Sequence, residues 1–221
     1  MKRALRAGEA LLALDTSTRS ASVTLVTSEF HATRRLDDAR RHATDLLPAI
    51  DELTRAAGQR PTRLAVGVGP GSYTGLRVGL ATILGLARAL LAPVAAVSSF
   101  DALAYEQAQS GARVLVATNA FGGRLYVAHL ERTAADVRTL LSPCVIAVHD
   151  FADFVAEHSA DVHLLDATAH AALMTPPAEA RVLAPNANAI AALALARGTN
   201  TPLAGLEPLY LQPFGAPRAR G

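Results

Sequence analysis

The chain of 221 residues is poor in the residue types that many chemistries need. Lys2 is its only lysine, which excludes the lysine of a phosphate-binding P-loop and an internal Schiff-base lysine. Cys144 is its only cysteine, which excludes intramolecular disulfides and multi-cysteine zinc sites. A lone cysteine reads as core filler and fits a reducing compartment. Tryptophan is absent, aromatic residues make up 5% of the chain, and the arginines are scattered apart from the pairs Arg34–Arg35 and Arg40–Arg41. A dedicated nucleic-acid groove needs a basic stripe with aromatics nearby, so none is expected, and the formal charge of +2 agrees. Long apolar runs are missing as well. Asp15 interrupts the run before it at a length too short for a secretory core of about 7–15 residues, and no segment approaches the ~18 of a membrane span. The expectation is a cytoplasmic protein with no membrane contact.

What is present is apolar substance: 51% hydrophobic against 18% charged residues, the balance of a folded globular protein. The run Leu11 to Leu14, the turn "DTSTRS" and the alternating Ala21 to Val26 read as a strand hairpin, with a third strand over Ala32 to Leu36. Leu46, Leu47, Ile50, Leu53 and Ala57 recur at near-helical spacing and Gly58 ends that helix; Pro48 means that it starts near Thr44 or carries a kink. A strand (Leu64 to Val68), a glycine-rich turn, a long helix, a strand (Val94 to Val97) and a helix from Ser99 follow. The order then restarts at "VLVATNAFGGRLYVAHL", where Asn119 stands eight residues before Val127 as Asp15 stands eight before Val23. A strand through Val137 to Val148, a helix from Asp150 to His158 and a strand and turn in "DVHLLDATAH" make a shorter copy, with the Pro/Ala-rich Met174 to Ala187 in place of a clean element. Two β-β-β-α-β-α-β units joined near residues 98–110 describe a two-lobed, actin-like and sugar-kinase-like (ASKHA) α/β fold. Residues 1–100 form the first lobe and 101–221 the second, reduced lobe, packed together.

The glycine-rich stretch is "LAVGVGPGSYTGLRVGLATILGLARAL", residues 64–90. It lacks the lysine of a P-loop; Gly69, Gly71 and Gly75 are spaced one residue too long for a dinucleotide fingerprint; and Pro70 and Thr74 stand where a hydrolase elbow around Ser72 needs glycines. What remains is a sharp turn off a strand, with Ser72 or Thr74 capping the next helix. At about 100° per residue, Leu76, Leu80, Ile83, Leu84, Leu86, Leu90 and Leu91 cover one half of that helix. The other half carries Thr74, Gly75, Gly79, Ala81, Thr82, Gly85 and Ala89, with Arg77 and Arg88 aligned on the same side. The apolar half packs in the core. The small half admits another backbone closely, from a partner or from another helix of this chain. Gly79→Leu is expected to keep the fold and to block that contact.

"LLALDTST", "RHATDLLPAI", "GVGPGSYTGLRVGLATILGLA" and "VAAVSSFDALA" together resemble the TsaB (YeaZ) family, and "LEPLYLQ" fits that family's usual ending. The resemblance runs from Leu11 to about Leu130 and is faint between Asp150 and Leu206. It implies a non-catalytic scaffold in the formation of N6-threonylcarbamoyladenosine at adenosine 37 of tRNAs reading ANN codons. Such a scaffold binds the catalytic paralogue TsaD as a heterodimer, is joined by the ATPase TsaE, pairs with itself when alone, and meets tRNA only indirectly. The family makes its contact through helices that match residues 42–57 and 74–91. The expected interface is therefore His42, Leu46, Leu47, Ile50, Thr74, Gly75, Arg77, Val78, Gly79, Ala81, Thr82, Gly85 and Arg88.

The paralogue holds a metal with an H-x-x-x-H pair; here His42 is followed four residues on by Leu46, and Asp45 is one position off. No metal site is expected, and a metalloprotease is rejected. His158, His163 and His170 are spaced five and seven apart, which suits no zinc motif. "DTST", Asp15, Thr16, Ser17 and Thr18, matches the first phosphate-binding turn of actin-like ATPases and reads as a vestigial nucleotide site; an Asp–Thr–Ser turn also closes a hairpin without help. At the second phosphate turn Asn119 stands where an acid is wanted, and Phe121 where the family is often basic. No cofactor of its own is expected, with ATP or ADP at an interface shared with TsaD left open. The alternative function is an ATP-dependent small-molecule kinase of the same fold.

Overall fold

In a computed structural model, which describes residues 5–37 and 42–212, the first apolar run is buried at every position. A run with no solvent face belongs in the middle of a sheet. Leu11–Asp15 (β1) is that central strand. It pairs antiparallel with Ala21–Val26 (β2), which pairs with the exposed edge His31–Leu36 (β3). On its other side lie Arg63–Gly67 (β4) and then Val94–Val97 (β5), both parallel. The sheet order is β3-β2-β1-β4-β5. Parallel neighbours need crossovers, and these are His42–Ala57 (α1) and Tyr73–Leu90 (α2). Leu46, Ile50, Leu80 and Ile83 of the two helices bury Leu12 and Leu14 on one face of the sheet.

Ser99–Gln107 (α3) leads to the second copy: Arg113–Asn119 (β6), Arg124–Arg132 (β7), Val137–Ala147 (β8), Phe151–Glu157 (α4), Val162–Leu165 (β9), Ala167–Ala172 (α5) and Arg181–Val182 (β10). Its order, β10-β9-β6-β7-β8, is that of the first sheet counted from its own first strand. The duplication, and with it the two-lobed ASKHA α/β fold, follows. The second copy is reduced to a six-residue α5 and a two-residue β10. Cys144 lies half-buried at the edge of this lobe's core, and burial pushes its thiol pKa up.

The boundary at residue 100 separates the sheets but not the helices. The last helix, Ala187–Arg197 (α6), which the sequence reading leaves without an element, packs on β1, β2, β4 and β5 of the first lobe, while α3 packs on β6, β7 and β8 of the second. The two helices lie against each other, so each lobe supplies a layer of the other's core. Arg197 closes the exchange, donating to Asp101 of α3 at 3.0 Å and to Asp136 at 2.7 Å. The chain beyond α6 then returns along the first sheet, where the Thr201 N–H bonds the Val94 carbonyl at 2.7 Å.

α1 starts at His42, close to the expected start near Thr44, and runs on through Pro48, which lies exposed on it. One detail of α2 differs from expectation. Leu91 is not part of the apolar half of α2. The helix ends at Leu90, and Leu91 is its left-handed cap (φ 51°), 90% exposed, its N–H bonded to the Ala87 carbonyl.

Candidate functional site

The four glycines Gly67, Gly71, Gly75 and Gly79 recur every fourth residue and surround one object, the turn between β1 and β2. A Cβ on Gly67 would lie 2.3 Å from Asp15 Oδ2, on Gly71 2.1 Å from the Ser17 carbonyl oxygen, on Gly75 2.1 Å from the Thr16 carbonyl oxygen and on Gly79 2.3 Å from Thr16 Oγ1. Each is excluded by sterics. Gly69 serves otherwise: its φ of 102° bends the chain off β4, which an L side chain resists. Ser72 is the helix cap, accepting the Gly75 N–H at 3.2 Å while its own N–H bonds the Ser17 carbonyl at 2.7 Å. Thr16 Oγ1 donates to the Gly75 carbonyl at 2.8 Å. The strand-to-helix turn and the hairpin turn are one knot.

That knot corrects one expectation, and it bears on the two readings of the Asp15 turn. Gly75 and Gly79 are covered by Thr16 and cannot meet a partner, so Gly79→Leu would break the fold instead of a contact. The Asp15–Thr16–Ser17 turn is not an open phosphate cradle. Asp15 is wholly buried; Oδ1 accepts the Ser17 N–H (2.9 Å) and hydroxyl (2.6 Å), and Oδ2 accepts the Ser99 hydroxyl (2.7 Å). Burial raises its pKa, against the pull of those three bonds. With both oxygens engaged and the chain packed around them, the Asp15 carboxylate does not fit a metal-bound phosphate. Only Ser17 and Thr18 of the four reach the cleft between the lobes.

The second turn differs from the match of Asn119 to Asp15 that the equal spacing suggests. Leu12 and Leu14 face the outer core of the first lobe, and Leu115 and Ala117 that of the second; Asp15 and Thr118 share the opposite parity, toward the lobe interface. Thr118, not Asn119, is the counterpart of Asp15. The register, Leu14 opposite Val66 and Ala117 opposite Leu165, agrees. The Thr118 hydroxyl is buried with no hydrogen-bond partner among the described residues. Asn119 shapes its own loop, its Oδ1 accepting the Phe121 N–H at 2.7 Å. The cleft of about 380 Å³ runs between these turns. Among the described residues no group of three or more His, Cys, Asp or Glu side chains is placed to hold a metal, and no helix is long and apolar enough to cross a membrane.

The outer side of the helix pair sorts the expected interface. Leu46 and Ile50 are core residues. Leu47 is 57% exposed, and Thr74, Arg77, Ala81, Gly85 and Arg88 form a continuous exposed stripe, flanked by the half-buried Val78 and Thr82. A Cβ on Gly85 would meet nothing within 4 Å among the described residues. His42 opens α1, but its side chain lies outside the described residues, as does the basic tail 216–221.

The family described as "TsaD: tRNA N6-adenosine threonylcarbamoyltransferase" matches residues 36–179. A protein of Pseudomonas aeruginosa described as YeaZ superposes with a TM-score of 0.76 at 30% identity, over 92% of this chain and all of that one. The chain belongs to the TsaB/YeaZ family. The Escherichia coli protein named for tRNA threonylcarbamoyladenosine biosynthesis as TsaB is 33% identical over 55% of each chain. An uncharacterised Mycobacterium tuberculosis protein is 31% identical over 91% of each. The match spans about half or less of the curated TsaB relatives, 55%, 41% and 43% of their lengths. A second Pseudomonas aeruginosa structure, with a TM-score of 0.78, is described as similar to a peptidase.

Sequence reasoning missed Ser99, whose hydroxyl holds Asp15, and the aromatic pair Tyr73–Tyr210, stacked with centroids 4.8 Å apart. For Tyr210 the only signal was its place in "LEPLYLQ".

Proposed function

We propose that this chain is a non-catalytic scaffold for N6-threonylcarbamoyladenosine formation in tRNA, acting by docking on TsaD through the exposed stripe of α2 and Leu47 of α1. Family membership supports the pathway. The observation that carries the docking reading is Gly85. An exposed mid-helix glycine costs about 1 kcal/mol relative to alanine, and none of the described residues needs it, since among them its Cβ would stand in open space. Its smallness serves something that approaches from outside. The engagement of Asp15 within the fold supports a scaffold over an ATP-consuming enzyme. On this reading the protein works in the cytoplasm, TsaE joins the TsaD-bound form, two copies pair through the same stripe when TsaD is absent, and any ATP or ADP sits at the shared interface.

Gly85→Arg tests the docking. The substitution enters open space, so the melting temperature should stay within a few degrees of wild type, while capture of purified TsaD is lost. Undiminished capture would remove α2 from the interface.

A further inference from the structure

The described part of the C-terminal segment ends against α2. Leu206 is buried in the first-lobe core, the Leu209 N–H bonds the Val68 carbonyl at 2.7 Å, and Tyr210 lies on Tyr73. Arg77 is caught between the segment and the helix. Its guanidinium stands 4.1 Å from the Tyr73 ring centroid and 6.0 Å from that of Tyr210, and its Nε donates to the Tyr210 hydroxyl at 2.9 Å. Arg77 is exposed and forms no ion pair among the described residues. Its one hydrogen bond among the described residues uses Nε, which leaves both terminal nitrogens for a further acceptor.

A free surface arginine loses rotamer freedom when it binds, and that loss offsets most of the gain of an exposed pair. Here the aromatic faces and the Nε bond have already fixed the side chain. A guanidinium held flat presents two parallel donors, the geometry that a carboxylate accepts bidentately. The stripe beside it, Ala81 and Gly85, is small and uncharged, which suits a close protein backbone. We propose that Tyr73 and Tyr210 are positioning residues that hold Arg77 as a preformed receptor for an aspartate or glutamate side chain of the docked protein partner. The proposal rests on the docking reading above and adds the C-terminal segment to the interface.

Calorimetric titration of the full chain with purified TsaD tests it, using Arg77→Ala, Tyr210→Phe, the double variant and Gly85→Arg, each first checked for unchanged melting temperature. Arg77→Ala is expected to weaken binding about tenfold or more, the effect of deleting one hydrogen-bonded charge at an interface. Tyr210→Phe keeps the ring and loses the hydroxyl; it should weaken binding about threefold, and by less than twofold when Arg77 is already alanine, because coupled residues are not additive. Wild-type affinity should fall with added salt more steeply than that of Arg77→Ala. If Gly85→Arg abolishes binding while Arg77→Ala binds as wild type, the docking face stands and the receptor is wrong. Should Tyr210→Phe weaken binding equally in both backgrounds, Tyr210 acts independently of Arg77 and the positioning role is overturned. If Gly85→Arg also binds normally, the docking reading itself falls and takes this proposal with it.

Discussion

Asp15 shows how far a residue can be read from its neighbours in sequence. Its position at a hairpin tip was legible from the apolar run before it and the alternation after it. Its environment was not, because the Ser99 hydroxyl that it accepts lies 84 residues away. In the turn that also matches a vestigial nucleotide site, the acid is buried as a joint of the fold. The sign of its titration follows. Burial raises the carboxyl pKa above its ordinary 3.8, so ionisation costs more in the folded chain than in the unfolded one. The contribution is most favourable below pH 3.8 and is lost as pH rises through the folded value. Asp15→Asn removes that loss. We expect the urea midpoint of the variant, relative to wild type, to move in the variant's favour between pH 4 and pH 8. A relative decline over the same range would mean that the Ser17 and Ser99 bonds outweigh burial.

At the scale of one element, α2 carries glycines with opposite reasons. Gly75 and Gly79 are closed in by Thr16, whereas Gly85 faces open space. The helical wheel put all three on one small half, because a wheel records angle and not what lies along it. The hairpin tip reaches only the first turns of the helix, and its position is a tertiary fact. Gly75→Ala drives a Cβ against backbone that cannot yield easily and should cost about 3 kcal/mol or more, beyond the usual cost of overpacking. Gly85→Ala should stabilise the protein by up to about 1 kcal/mol. Denaturant titration of the pair checks the contrast; equal effects of the two would contradict it. α6 was illegible for a related reason. Covered by the first sheet and by α3, "ANAIAALALA" has no polar face to set a period, although Asn186 and Gly198 cap it as expected of a helix.

At the scale of the whole molecule, the element order was enough to reveal two copies of one unit, since strands and crossovers leave their periods in the chain. The exchange of α3 and α6 across the lobes was not, because no local pattern records which sheet a terminal helix covers. Nor was the return of the C-terminal segment to α2, which places Tyr210 beside Arg77 across 133 residues. The consequence is a single interlocked body: among the described residues α2 of the first lobe carries an exposed stripe, the hairpin acid is consumed in holding its own turn and the start of α3, and Thr16 ties the hairpin to α2. The part proposed for the protein is that of a rigid docking partner. The most direct test is an omission experiment: threonylcarbamoyladenosine formation on tRNA reconstituted from TsaD, TsaE and the synthase that supplies the threonylcarbamoyl adenylate, with and without this chain. Product is expected only when the chain is present, restored by wild type and not by Gly85→Arg. Equal product without it would contradict the scaffold role.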